Sequence, residues 1–233
     1  MRKSRLILLS ILLCFSGTAS AFGAEQPLND IAGYWAEKEI TAAYEAGIVS
    51  GYPDGSFQPD KYVTRAEFAA ILSNAFDLSG EAGTHFDDVS ETAWYYPYIG
   101  GTMPYIGASD GLDAARPDAV LFHGEENLHR IDAYEAFIDL LLDKAGQKIE
   151  LPSPEKLFEE VTAKYQDIDY HAGDLSRMAH PNVKRLFEYT WLADHLALRN
   201  LEKPGNFYPH SGMSRAEAVW IVADMQARLA ENN

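Results

Sequence analysis

The chain of 233 residues carries 35 acidic and 19 basic side chains, a formal net charge of -16, and one cysteine. Such an acidic surface argues against nucleic acid as a partner, because phosphate binding needs a basic face. A lone cysteine gives no disulfide within the chain, so the fold has to be held by its core or by a metal or ligand.

The first segment runs from Arg2, Lys3 and Arg5 through LILLSILLCF to Ala19, Ser20 and Ala21. This is the pattern of a secretory signal peptide, residues 1–21, cut after Ala21. Its apolar run is about half the roughly 20 residues that span a bilayer. Cys14 follows Leu13, where a lipid-attachment site wants a small residue, so lipidation is disfavoured. Cleavage removes three basic residues and no acidic one, taking the formal charge from -16 to -19.

In WAEKEITAAYEAGI, Trp35, Ile40, Ala43, Tyr44 and Gly47 fall largely on one face, which predicts a helix ended by Gly47 or Gly51. GYPDG is turn chemistry, with Gly55 after Asp54 turning the chain at positive φ. Thr64 and Glu67 form a capping box that opens a second helix, with Phe68, Ile71, Leu72 and Ala75 at helical spacing. FDDVSETAWYYPYIGG starts a further helical piece, which Pro97 opens or interrupts. The glycine-rich IGGTMPYIGASDGLDAARPDAV reads as an extended surface loop.

Ala133, Ala136, Phe137 and Leu140 mark the next amphipathic helix. Ser153 and Pro154 start an additional one in LPSPEKLFEEVTAKY. YQDID introduces the helical HPNVKRLFEYTWLADHLALRN, and Ser214 with Glu217 caps a last helix carrying Ala218, Ile221, Val222 and Met225.

A threefold repeat underlies these elements. FQPDKYVTR, FHGEENLHR and FYPHSGMSR align without gaps. Each has a Phe (Phe57, Phe122, Phe207), a turn residue (Pro59, Gly124, Pro209), an apolar residue (Val63, Leu128, Met213) and an Arg (Arg65, Arg130, Arg215). The three phenylalanines read as core pegs that pin the loops. With the insertions, the repeats span residues 29–78, 84–146 and 151–230.

The Trp at the head of one helix, the GYPDGSFQP loop and the TRAE helix start together resemble the S-layer homology module. The resemblance implies a mainly α fold of three helix-loop-helix repeats in a pseudo-threefold arrangement around a central helical bundle, with binding grooves between neighbours. It implies a secreted protein of the cell wall or cell surface, anchored without catalysis to a cell-wall polysaccharide or peptidoglycan-associated glycan that often bears a pyruvate ketal. A separate surface protein as cargo is compatible with it.

The chemistry suits such a ligand. Arg65, Arg130 and Arg215 can each fork a carboxylate with two parallel hydrogen bonds. Their places in a first helical turn offer free amides and the positive end of the helix dipole, and Arg65 is expected to weigh most. Trp35 and Trp94 offer flat faces to a sugar ring, and Gly51 lets the backbone approach one. By resemblance, Asp30 and Asp88 meet sugar hydroxyls or neighbouring repeats. The third repeat has Asp167 and Asp169 but no matching Trp; His180 stands near that place and Trp191 comes too late in its helix, which leaves this pocket altered or dead.

Competing readings stand beside these. Each arginine can instead pair with a protein carboxylate, Trp35 can seal a core, and the repeats can be scaffold turned to protein interaction. No cofactor or metal site is expected, since HExxH and EF-hand spacings are missing. Nucleotide-binding loops, GxSxG and a nucleophilic cysteine are missing as well. Abundant carboxylates leave a wall-polysaccharide hydrolase as the enzymatic alternative.

Overall fold

The computed structural model describes residues 27–80, 86–108, 119–168, 181–198 and 205–231. The expected signal peptide with Cys14, and Asp169 and His180, lie outside the described residues. Seven helices are present among those described: α1 Glu37–Glu45, α2 Arg65–Phe76, α3 Tyr96–Ile106, α4 Arg130–Ala145, α5 Pro154–Lys164, α6 Pro181–His195 and α7 Arg215–Glu231. The fold is mainly α, with only isolated β-bridges between loops in the described residues.

Local signals account for most boundaries. Thr64 closes a full capping box with Glu67, and Ser153 accepts from the Lys156 amide to start α5. Gly146 ends α4 in the left-handed region at φ 61°. α3 departs from the expected loop. Pro97 opens the helix, which then continues through Gly100 and Gly101 to Ile106 with Pro104 inside it. Those glycines mark close approach rather than a turn. A Cβ on Gly101 would lie 2.3 Å from the Leu78 carbonyl oxygen, and one on Gly80 would lie 2.6 Å from the Gly100 carbonyl carbon. Ile99 and Thr102 on α3 are buried as a result.

The core is continuous from α1 to α7, with a satellite cluster of Ala66, Ala69, Phe86, Tyr95, Ile99 and Phe122 under the second loop. Phe57, Phe122 and Phe207 are essentially fully buried, as core pegs should be. Burial of a side chain of this size is worth roughly 1.5–3 kcal/mol.

The three repeat loops join through a closed ring of backbone hydrogen bonds. Val63 N–H donates to the Met213 carbonyl (2.8 Å), Met213 N–H to Leu128 (3.2 Å) and Leu128 N–H to Val63 (3.0 Å). These are the apolar residues shared by the three loops, all buried. One residue per loop thus serves both the ladder and the core, which fixes how α2, α4 and α7 start relative to one another.

Candidate functional site

The amides at the helix starts are already in use. Arg65 N–H donates to the Glu126 carbonyl (2.9 Å) and Ala66 N–H to Gly124 (2.9 Å), while Glu67 N–H donates to Thr64 Oγ1 (3.1 Å). At α4 the acceptors for Arg130 and Ile131 are Ser211 (2.8 Å) and Pro209 (3.0 Å). At α7 those for Arg215 and Ala216 are Lys61 (2.9 Å) and Pro59 (3.0 Å). Each helix start is therefore capped by a loop distant from it in the chain. The expectation of free amides for an anion is corrected: neighbouring carbonyls satisfy those donors first.

The arginine side chains follow the same cyclic order. Arg65 Nε donates to the Phe122 carbonyl (2.6 Å) and Nη2 to Gly107 (2.9 Å), with the guanidinium 5.2 Å from the Phe122 ring. Arg215 Nε donates to Phe57 (3.0 Å) and Nη2 to Ser50 (3.0 Å), and its guanidinium lies 4.6 Å from the Phe57 ring. Arg130 forms a buried ion pair with Glu217. All three arginines are buried: Arg65 and Arg215 clamp loop carbonyls distant in the chain, and Arg130 holds a carboxylate on α7.

The aspartates clamp their own loops. Asp30 accepts from Phe57 and Gln58 N–H, both at 2.7 Å. Asp88 accepts from Phe122 (2.8 Å) and His123 (2.7 Å) N–H, and Asp167 accepts from Phe207 and Tyr208. In each loop the second of these residues is left-handed: Gln58 at φ 56°, His123 at 53° and Tyr208 at 54°. A non-glycine residue resists that conformation, and two charge-assisted bonds to one carboxylate offset the cost. Asp30 and Asp88, expected to meet sugar or neighbouring repeats, thus have both oxygens on backbone amides of their own loop.

Three other expected residues do converge. Gly51, Trp94 and Arg215 line one groove of about 290 Å3, together with Tyr52, Glu67 and Tyr98. They come from the first loop, α2, the approach to α3, and the start of α7. Trp94 is 54% exposed and meets Tyr98 edge to face at 6.5 Å between ring centroids. Arg215 Nη1 lies 3.2 Å from Glu67 Oε1, which also accepts from Tyr52 Oη at 2.8 Å. Lys61 Nζ in turn donates to Tyr52 Oη at 2.8 Å and lies 3.7 Å from Glu67.

Burial, with the hydrogen bond to Glu67, pushes the Tyr52 hydroxyl above its ordinary 10.0, so it stays a donor at neutral pH; Lys61 opposes that shift. Arg215 and Lys61 therefore share the Glu67 carboxylate, Arg215 within the groove and Lys61 beside it. Gly51 serves the chain more directly than a ligand, since a Cβ there would lie 2.7 Å from Leu28 Cδ2 and 3.2 Å from the Ser56 carbonyl oxygen.

Asp30, Arg65 and Asp88 line neither this groove nor the cavity of about 260 Å3 that holds Arg130 with Asp60, Tyr62 and Tyr208. Trp35 is 45% exposed and borders a separate open depression with Tyr34, Thr41 and Glu45. Tyr98, Lys61 and the second role of Glu67 were missed in the sequence; the YYPYI run was the available signal for Tyr98. Among the described residues no cluster of three His, Cys, Asp or Glu could hold a metal, and no helix is long and apolar enough to cross a membrane.

Residues 27–69 match the S-layer homology domain. Within those residues the chain is similar to that domain. The match includes Asp30, Trp35, Gly51 and Arg65. The chain is 36% identical over 109 residues to the Surface-layer 125 kDa protein of Lysinibacillus sphaericus, covering 46% of this chain and 9% of that one. It is 36% identical over 81 residues to a Cellulosome-anchoring protein of Acetivibrio thermocellus, covering 34% and 18%. It is 32% identical over 205 residues to an Amylopullulanase of Thermoanaerobacterium thermosulfurigenes, covering 87% of this chain and 10% of the enzyme. The chain spans a tenth or less of the length of the first curated relatives it matches.

Proposed function

We propose that this protein is a non-catalytic cell-surface anchor that binds an acidic, pyruvylated cell-wall polysaccharide in the groove of Tyr52, Trp94 and Arg215. The observation that carries the reading is the convergence of the exposed Trp94 indole and the Arg215 guanidinium in one groove, with Lys61 beside its Tyr52 and Glu67. The ligand's ring would lie against Trp94, and its carboxylate would compete with Glu67 for Arg215 and Lys61. Three tandem repeats over residues 29–78, 84–146 and 151–230, related by a pseudo-threefold axis, belong to the same proposal; the cyclic loop bonding supports it. The S-layer homology match and the surface-layer and anchoring relatives support a cell-surface or cell-wall location.

Sedimentation of the mature protein with purified walls is the test. Binding should vanish after chemical removal of the non-peptidoglycan polymer, and Trp94→Ala should release the protein without unfolding it. Retention on stripped walls would point to peptidoglycan itself. A second reading, a scaffold with disused sugar sites, is favoured by the commitment of Arg65, Arg130, Asp30 and Asp88 to protein groups. A scaffold would stay in solution in every arm.

A further inference from the structure

A further cavity lies between the additional helix α5 and α6. It measures about 370 Å3, within the range of small-molecule sites, and is lined among others by Glu160, Tyr165, Thr190, Trp191, Asp194 and His195. Trp191 and His195 stack in one wall, with ring centroids 4.7 Å apart and planes 14° apart. Glu160 accepts from Trp191 Nε1 (2.6 Å), and Asp194 accepts from the Tyr165 hydroxyl (2.8 Å). Each carboxylate also carries a lysine, Lys156 on Glu160 and Lys164 on Asp194.

Thr190 is the anomaly. It lines the cavity, is wholly buried, and its hydroxyl has no hydrogen-bond partner among the described residues. A buried hydroxyl left unsatisfied costs stability, and valine has nearly the same shape without that cost. A hydroxyl kept at such a position calls for a partner from outside the chain.

From this geometry we infer that the α5–α6 cavity binds a saccharide ring. The aromatic stack supplies an apolar wall for the ring's C–H face. Glu160 and Asp194 accept hydroxyl protons, Lys156 donates to a ring oxygen, and Thr190 bonds a hydroxyl at the floor. The site lies between the inserted α5 and α6 and shares no residue with the Arg215 groove, so it would let one anchor hold two points on a glycan, or a glycan and a free sugar. Two linked contacts raise avidity well beyond either one.

The test is a two-dimensional NMR titration of the full mature chain with glucose, N-acetylglucosamine and, in a separate arm, oligosaccharide released from purified walls. The indole N–H signals are assigned by Trp191→Phe and Trp94→Phe. Shifts at the Trp191 indole and Thr190 amide are expected with the monosaccharides at tens of millimolar, an affinity range ordinary for one ring. A response to wall oligosaccharide alone would assign the site to wall glycan and still support a saccharide site.

Thr190→Val should raise the unfolding midpoint and weaken this binding about tenfold, the effect of one lost hydrogen bond. Silence at Trp191 in all arms, or equal binding by Thr190→Val, would overturn the inference. The Trp94 indole reports the proposed wall-binding groove separately, so failure of one site is distinguishable from failure of the other.

Discussion

Arg215 at the start of α7 reaches Glu67 on α2, with Nη1 3.2 Å from Oε1, while the other carboxylate oxygen closes the α2 capping box on Thr64 N–H at 3.0 Å. One side chain therefore caps a helix and sets the charge of the groove between repeats. Glu67→Gln separates these roles, because glutamine can still accept from Thr64 N–H but brings no charge. Retention of the protein on walls bearing the acidic polymer should strengthen, at a stability cost of about 1 kcal/mol. Weaker retention in the sedimentation assay would show that the ligand does not compete with Glu67.

The Arg130–Glu217 pair is 3% and 1% exposed, so its two partners are not independent. Glu217→Ala strands a buried guanidinium and should cost about 3–5 kcal/mol. The joint Arg130→Met, Glu217→Leu variant should recover most of that loss, because the desolvation of both charges disappears together. Urea denaturation of the two variants checks this; a double variant less stable than Glu217→Ala would mean the pair contributes net stability.

Asp30 and Gln58 form a clamp and its strained residue. Asp30→Asn keeps one acceptor oxygen and loses the charge, so about 2–3 kcal/mol should be lost from the bonds to Phe57 and Gln58. Gln58→Gly should instead stabilise the protein by about 0.5–1 kcal/mol, since glycine adopts φ 56° without steric cost. Thermal unfolding of both variants reads this directly. A lower midpoint for Gln58→Gly would show that the side chain's packing outweighs its backbone strain.

Hydrogen bonds from Ser56, through both its hydroxyl (2.6 Å) and its amide (2.9 Å), hold the Asp54 carboxyl below its ordinary 3.8. With the folded value depressed, the support this carboxylate lends the loop is full above 3.8 and is lost as pH falls through the folded value. NMR titration of the Asp54 carboxyl should give a midpoint below 3.8, rising part of the way toward it in Ser56→Ala, which removes the hydroxyl bond and keeps the amide bond. An unchanged midpoint in the variant would remove Ser56 as the cause.

Helices α2, α4, α5, α6 and α7 were legible because capping residues and helical spacing act within a few residues, and Phe57, Phe122 and Phe207 stood out by recurrence. The start of α3 was read as helical, but its continuation past Gly100 and Gly101 was read as loop, because glycine serves both turns and close packing and only the neighbour at Leu78 distinguishes them.

By itself, then, the sequence determined the local elements, their caps and the common loop residues, since each depends on adjacent side chains and backbone. Only the tertiary structure decided what those residues bond to. Arg65, Asp30 and the helix-start amides have protein partners at hydrogen-bond distance, while Gly51, Trp94 and Arg215 meet in one groove despite wide separation in the chain. A donor's chemistry is local, but whether it faces a carbonyl or a ligand is settled by how the loops close on one another.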